Sequence, residues 1–587
     1  MIQRSILAAL LFAYVFTLGG GLASNASASA PAPASAMRIL LYVNKTEAFV
    51  NGKSTILASP ANVINGKMYV PVKFLGDTFG FPVAYRPETN TIALTAGRTG
   101  VTIDLTTRKT IVDGRPGTLE PTFAISKDGR LMAQLTWIMD RIGAKYAYDG
   151  VRNLVEVTYA PWSAELPSSV SSKPVAKFTF GKNSYKMGEK VQYIDLSYDA
   201  EGDGIQWAAW KGNQEAFYTP GKHAVSLQVT DSRGNVSDVF TKTITIENAT
   251  LHSPVDFQML YAKKQSFVKL SASDVKRFTD APNLRATVQQ DQTRKLLVSD
   301  SPETIVEYGA LYRDNVNGKA RLYANHINAM ESDVQLAIVA TNRGSEPATV
   351  ETTRQGEVYP SAFINLIGYQ ASVDFLVGDA NKPTLTVQPG ESVAYAVLPK
   401  LKRGQGVNLV YDIETSADLT FTFAAMAPGD SLASAWSLPA LPFSGHIRGT
   451  FPTSGLRMEV DASAVTKATG PKKITIGDNV NDKFIFGYDA FRGEADDNYG
   501  NYGVLYQIRV KHPGKAAIAL AARGGIFKGA LKIDGEMILA PASGVITPFD
   551  GVYMLHRTAG DEPYIDIELT PPAGSYLPID LVFYPLP

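Results

Sequence analysis

The chain has 587 residues, enough for about three or four domains of roughly 150 residues each. Its 56 Lys and Arg balance 56 Asp and Glu, so no basic excess is available for a phosphate backbone or an anionic membrane, and nucleic acid is not an expected partner. With no cysteine there is neither a disulfide framework nor a lipid-modified N-terminal Cys, while 45% hydrophobic content with 27 Tyr and 26 Phe reads as folded, turn-rich β structure.

The N-terminus reads MIQRSILAALLFAYVFTLGGGLASNASASAPAPASAM, with Arg4 ahead of an apolar core from Ile6 to Leu18 and small residues at Ala26, Ala28 and Ala30 that suit A-x-A cleavage. Residues 1–30 are expected to be a signal peptide and 31–38 a small-residue linker. The apolar core is shorter than the roughly 20 residues of a spanning helix. Export to the bacterial envelope or medium is therefore the expectation, with no integral membrane span after cleavage.

An internal repeat sets the first domain. NGKMYVPVKFLGDTFGFPVAYRPETNTIALT from Asn65 falls without a gap on DGRLMAQLTWIMDRIGAKYAYDGVRNLVEVT from Asp128, a shift of 63 residues. VNGK at Val50 and VDGR at Val112 form a second pair, and both carry the Asn-Gly or Asp-Gly of a tight hairpin. Val72, Leu75 and Phe79 stand at helical spacing, as do Leu135, Ile138 and Ile142, with Pro71 suited to the first helical turn and Gly80 and Gly143 to the stops. Alternation then resumes through Val83, Tyr85, Ile92 and Leu94. Two β-helix-β-β units give an α+β module over 39–159.

This module resembles the copper amine oxidase-like N-terminal domain, also called the stalk domain, through INGKMYVPVKFLGDTFG followed by VAYRPETNTIAL and its second copy. The second copy has AQLTW in place of VPVKF and so departs from the family pattern. The resemblance implies an accessory lobe with no catalytic residue.

A Pro- and Ser-rich linker over 160–173 leads to a module at 174–247 that contains YTPGKHAVSLQVTDSRG, in which Val225, Leu227 and Val229 alternate inward and Asp231 to Gly234 turn. It resembles a PKD domain, an immunoglobulin-like sandwich, with His223 in place of an aromatic. Alternating segments over 248–427 predict a further β-sandwich, a proline-rich stretch over 428–445 a linker, and 446–587 a final β domain. The chain is thus expected to be multidomain and mainly β.

Catalytic signals are scarce. A copper amine oxidase needs three imidazole ligands and a tyrosine in an N-Y-D/E setting, whereas the six histidines contain no H-x-H pair and Asn498-Tyr499 is followed by Gly500. Ser266 and Ser273 each open an S-x-x-K, but K-T-G is missing. The run GDNVNDKFIFGYDAFRGEADDNYGNYG offers Asp478, Asp482, Asp489, Glu494, Asp496 and Asp497 as oxygen ligands for a structural calcium, at a spacing unlike an EF-hand. Trp207, Trp210 and Tyr218 are candidates for stacking on sugar rings. The expected function is a noncatalytic, exported scaffold for display or adhesion, with cell-wall glycan or surface proteins as partners. The alternatives are a surface carbohydrate-binding protein and an extracellular hydrolase with its site in 248–587.

Overall fold

The computed structural model describes residues 37–159, 172–200 and 204–587. The expected signal peptide, most of the first linker and residues 160–171 of the second lie outside the described residues. The chain divides into two compact units, one comprising Met1–Asn183, Val191–Glu215 and Lys222–Thr245, the other Ser184–Lys190, Ala216–Gly221 and Ile246–Pro587.

In the first unit the repeat is built as the sequence pattern predicts, and it is fuller. Helices Val72–Phe79 and Leu135–Ile142 each bury the predicted stripe and end on a left-handed glycine, Gly80 at φ 77° and Gly143 at φ 72°. Pro71 closes the preceding strand and stands at the N-cap, one position earlier than expected. The strands leading into the helices pair antiparallel, Val70 opposite Ala133, its own repeat equivalent, so a local two-fold passes between them. Each copy also carries four strands upstream, and the hairpin after each helix completes the other copy's sheet: Thr91–Ala96 pairs with Thr99–Asp104, and Leu154–Tyr159 with Met37–Tyr42. Both predicted hairpin turns have positive φ at two successive residues, Asn51 with Gly52 and Asp113 with Gly114.

The PKD-like segment of this unit pairs Phe178–Phe180 with Tyr193–Asp195, and Ile205–Lys211 with the strand Gly221–Asp231. Val225, Leu227 and Val229 are fully buried. The Asp231 carboxylate accepts the N–H groups of Arg233 and Asn235 to form the expected turn.

The second unit is built around two strands of unusual length, Gly309–Asn328 and Gly406–Met426, which pair antiparallel from Gly309 opposite Ala425 to Ile327 opposite Gly406. A register shift between Val316 and Gly318 bends the pair. The free edge of the second strand is then shared by Ala348–Glu357 over one half and Gln335–Thr341 over the other. Leu311, Leu322, Ile338, Leu409, Phe421 and Phe423 fill the resulting core.

The C-terminal part is a sandwich covered on one side. Leu456, Met458, Ile508, Val510, Ile565 and Ile567 of a six-stranded sheet face Ile474, Ile518, Leu520, Leu581 and Phe583 of a five-stranded one. Helices Pro254–Tyr261 and Ala272–Thr279 cover the far side of the five-stranded sheet through Val255, Met259 and Phe278. The boundaries drawn from sequence differ here. Strand Ser266–Val268 pairs with Val552–Arg557, and Ala286–Gln290 with Gly455–Asp461, so this stretch completes the C-terminal sandwich instead of opening the one before it. The stretch 428–445 is packed and not a free linker: Ala435 is buried against Val339 and Met426, and Leu441 lies in the core of the long strands.

A buried arginine ties these two cores together. Arg321, on the strand Gly309–Asn328, donates Nε and Nη2 to the two oxygens of Asp412 at 2.7 and 2.9 Å, and Nη1 to the carbonyls of Ser454 and Gly503 at 2.7 and 2.8 Å. Removing one partner of such a pair strands the other charge in the interior. Arg321→Ala is expected to cost roughly 3–5 kcal/mol, measured by urea unfolding of the full chain. An unchanged midpoint would contradict this packing.

Candidate functional site

The two tryptophan candidates do not form one platform. Trp207 is exposed, at 69% of its surface, whereas Trp210 is half-buried, with its ring 4.8 Å from Phe178 and 5.5 Å from Tyr193. The spacing of three along a strand sends the two rings to opposite faces. Tyr218 lies on the segment Ala216–Gly221, which groups with the second unit.

Five of the six carboxylates proposed for calcium have hydrogen-bond or ion partners within the protein, and three of them converge on an arginine. Asp478 accepts the backbone N–H groups of Val480, Asn481 and Asp482. Asp482 is buried and accepts from the Tyr506 hydroxyl at 2.6 Å, and its pKa is raised by burial. Asp489 is fully buried between Arg448 at 3.0 Å and Arg492 at 2.9 Å. Arg492 also lies 3.4 Å from Glu494 and 3.1 Å from Asp496, while Asp497 sits in the strand Glu494–Asp497. The guanidinium of Arg492 thus occupies the place a cation would take for three of the six.

A groove that sequence reading did not single out lies on the six-stranded sheet. On the six-stranded sheet the even-numbered residues of Gly455–Asp461, Leu505–Lys511 and the odd-numbered residues of Tyr564–Leu569 face the core, so their neighbours form the opposite, outward face. Register aligns this outer face into rows: Arg457, Gln507, Glu568 and Lys532 in one, Glu459, Arg509 and Asp566 in the next. These residues line a groove of about 580 Å³. Arg509 holds Asp566 through two parallel bonds of 2.8 Å and lies 4.3 Å over the ring of Tyr564, and Lys511 donates to Glu459 at 2.7 Å.

The electrostatics of the groove are balanced. Three cations, Arg457, Arg509 and Lys532, meet three carboxylates, Glu459, Asp566 and Glu568. The hydrogen bond and charge of Lys511 hold the Glu459 carboxyl below its ordinary pKa. Glu568 is set apart: its Oε1 is buried without a hydrogen bond, with Arg354 at 3.5 Å as its ion partner. The floor therefore alternates fixed donors and acceptors, an arrangement that binds hydroxyl groups in both of their roles.

Histidines do not assemble an oxidase centre. His326 is buried between the Ser299 hydroxyl at 2.9 Å and the Pro302 carbonyl at 2.8 Å, and burial lowers its pKa to about 4. Among the described residues the one group of potential metal ligands is Asp300, Glu303 and His446, with a single imidazole.

Comparison with known proteins bears on the N-terminal module. The family model "Copper amine oxidase N-terminal domain" matches residues 32–94 and 49–157, the two passes reflecting the repeat. This segment is a copper amine oxidase N-terminal domain. That domain is the noncatalytic part of its family, so the match does not indicate amine oxidase activity. No curated protein matches the chain. Among solved structures it is similar, at 14% identity, to one described as "Structural basis for the promiscuous specificity of the carbohydrate-binding modules from the beta-sandwich super family", over 44% of this chain and 98% of that one, with a TM-score of 0.12. It is also similar, at 10% identity, to the PBSX exported protein XepA, over 60% of this chain and 96% of that one, TM-score 0.11. A Bacteroides ovatus protein described as SGBP-B of the mixed-linkage glucan utilization locus, in complex with a mixed-linkage heptasaccharide, is 10% identical over 56% of this chain and 72% of its own, TM-score 0.09. Among the described residues no helix is long and apolar enough to cross a membrane.

The different surroundings of the two tryptophans give a direct test. Trp210→Ala is expected to destabilise the chain by roughly 2–4 kcal/mol because it opens a cavity beside Phe178 and Tyr193. Trp207→Ala is expected to stay within about 0.5 kcal/mol of the parent. Chemical unfolding followed by Trp fluorescence and circular dichroism separates them, and equal losses would contradict the assignment of faces.

Proposed function

We propose that the protein is a noncatalytic, exported scaffold that holds an uncharged polysaccharide of the cell envelope in the groove of its C-terminal six-stranded sheet. The observation that carries this reading is the charge-balanced floor of cross-strand pairs, Arg509 with Asp566 and Lys511 with Glu459, with Tyr564 beside them. A polyhydroxylated chain offers a donor and an acceptor at every hydroxyl and a weakly polar ring face. A net-neutral floor gives no advantage to an anionic ligand. The signal-like N-terminus and the accessory character of the first module support a role outside the cell.

The groove's chemistry favours binding over hydrolysis. A glycosidase needs one carboxyl held protonated near neutral pH as general acid. In this groove Glu459 is held ionised by Lys511, Asp566 receives two charge-assisted bonds from Arg509, and Glu568 has Arg354 as an ion partner at 3.5 Å. The reading therefore assigns these acids to hydrogen bonding with the ligand.

Retention of the full chain on insoluble cell-wall polysaccharide tests the proposal. The double variant Arg509→Ala, Tyr564→Ala is expected to lower retention at least about tenfold, equivalent to ~1.4 kcal/mol, with an unchanged melting temperature. Trp207→Ala is expected to be retained like the parent. Loss of retention in Trp207→Ala alone, or release of reducing sugar by the parent, would overturn the reading. Fractionation adds a second check: the mature chain belongs in medium or washed wall, and recovery only from cytoplasm would contradict export.

A further inference from the structure

Asp300, Glu303 and His446 bring one ligand atom each to within 4.8 Å of one another, at a point where the strand Lys295–Ser299 ends and the strand Arg448–Phe451 begins. Asp300 is buried, Glu303 half-buried and His446 exposed, so the group is reached from solvent through the imidazole. His446 Nε2 lies 3.3 Å from Glu303 Oε2. No arginine or lysine pairs with either carboxylate among the ion pairs of the described residues, in contrast to Asp412, Asp489 and Asp580, each of which has a buried cation.

A fourth side chain points to an absent partner. Asn325, on the strand Gly309–Asn328, is 3% exposed, and its Nδ2 reaches both carboxylates, Asp300 Oδ1 at 2.9 Å and Glu303 Oε1 at 3.4 Å. Its Oδ1 is buried and has no hydrogen-bond partner. An unpaired buried amide oxygen costs about 1–3 kcal/mol. Rotating the amide by half a turn exchanges its two ends: the oxygen then faces both carboxylates in place of the two Nδ2 bonds, a loss that a cation held between the three oxygens offsets.

We infer that Asp300, Glu303, His446 and the Asn325 amide oxygen form a binding site for a divalent first-row transition cation. Two carboxylates, one imidazole and one amide oxygen suit Zn²⁺ or Mn²⁺, because the imidazole disfavours Ca²⁺ and Mg²⁺, which take oxygen ligands. Zn²⁺ binds ahead of Mn²⁺ by the general order of affinities. Bound there, the ion fastens the proline-rich stretch ending at Gly445 to the end of the strand Lys295–Ser299. Its role is to fix the fold, and it is independent of the polysaccharide groove.

The test uses the full chain freed of metal with EDTA. Adding ZnCl₂ at about a hundredfold excess over Kd is expected to raise the melting temperature by roughly 3–6 °C, with reversal by chelator and a smaller shift for MnCl₂ or CaCl₂. CoCl₂ is expected to produce visible absorption bands. His446→Ala, at an exposed position, is expected to fold normally and to lose both the shift and the bands. His512→Ala, which removes a surface imidazole 3.4 Å from Asp461, is expected to keep them. No shift and no Co²⁺ spectrum in the parent, or the same shift and spectrum in His446→Ala, would overturn the inference.

Discussion

The architecture of the C-terminal half depends on one buried guanidinium. Arg321 leaves the sheet of long strands, is neutralised by Asp412, and uses its remaining nitrogen on the carbonyls of Ser454 and Gly503. Desolvating this charge costs several kcal/mol, which is offset only when all of these acceptors are in place. The pair therefore contributes registration more than net stability: a shift of the Leu505–Lys511 strand relative to the long strands would leave Arg321 short of acceptors. Arg448 repeats the device, with Asp489 at 3.0 Å and the Leu441 carbonyl at 2.9 Å, and it fixes the stretch that a reading of composition takes for a linker.

The five-stranded sheet of the sandwich is covered by two helices, whereas the outer face of the six-stranded sheet carries a groove. Strand alternation creates this face: the residues that bury Met458, Ile508 and Ile567 oblige Glu459, Arg509 and Asp566 to point the other way. Core packing and groove chemistry are thus two faces of one pattern. The N-terminal module uses its material differently, with each repeat completing the other's sheet, so its apolar positions form the module's own core.

What could be read in the sequence is what is encoded locally. The 63-residue repeat, the helix stripes with their glycine stops and the Asn-Gly and Asp-Gly turns all depend on neighbours a few residues apart, and each reappears in the structure. The charge rows were half legible, since Leu505–Lys511 and Tyr564–Leu569 alternate plainly, but their adjacency is a property of register. Pairing of Ala286–Gln290 with Gly455–Asp461 joins distant stretches without a local signal, which is why the domain boundary was misplaced. The acid-rich run misled for the same reason: Asp489 looks like a calcium ligand until Arg448 arrives from another strand. Asp300 and His446 carried no signal at all, because neither stands in a ligand-like spacing and only the fold brings them together.

Hydrogen exchange of the full chain with and without soluble envelope polysaccharide tests most directly whether ligand lies across the six-stranded sheet. The account predicts added protection in Gly455–Asp461, Leu505–Lys511 and Tyr564–Leu569, with exchange in Ile205–Lys211 unchanged. Protection confined to Ile205–Lys211, or none in the three C-terminal strands at saturating ligand, would contradict it.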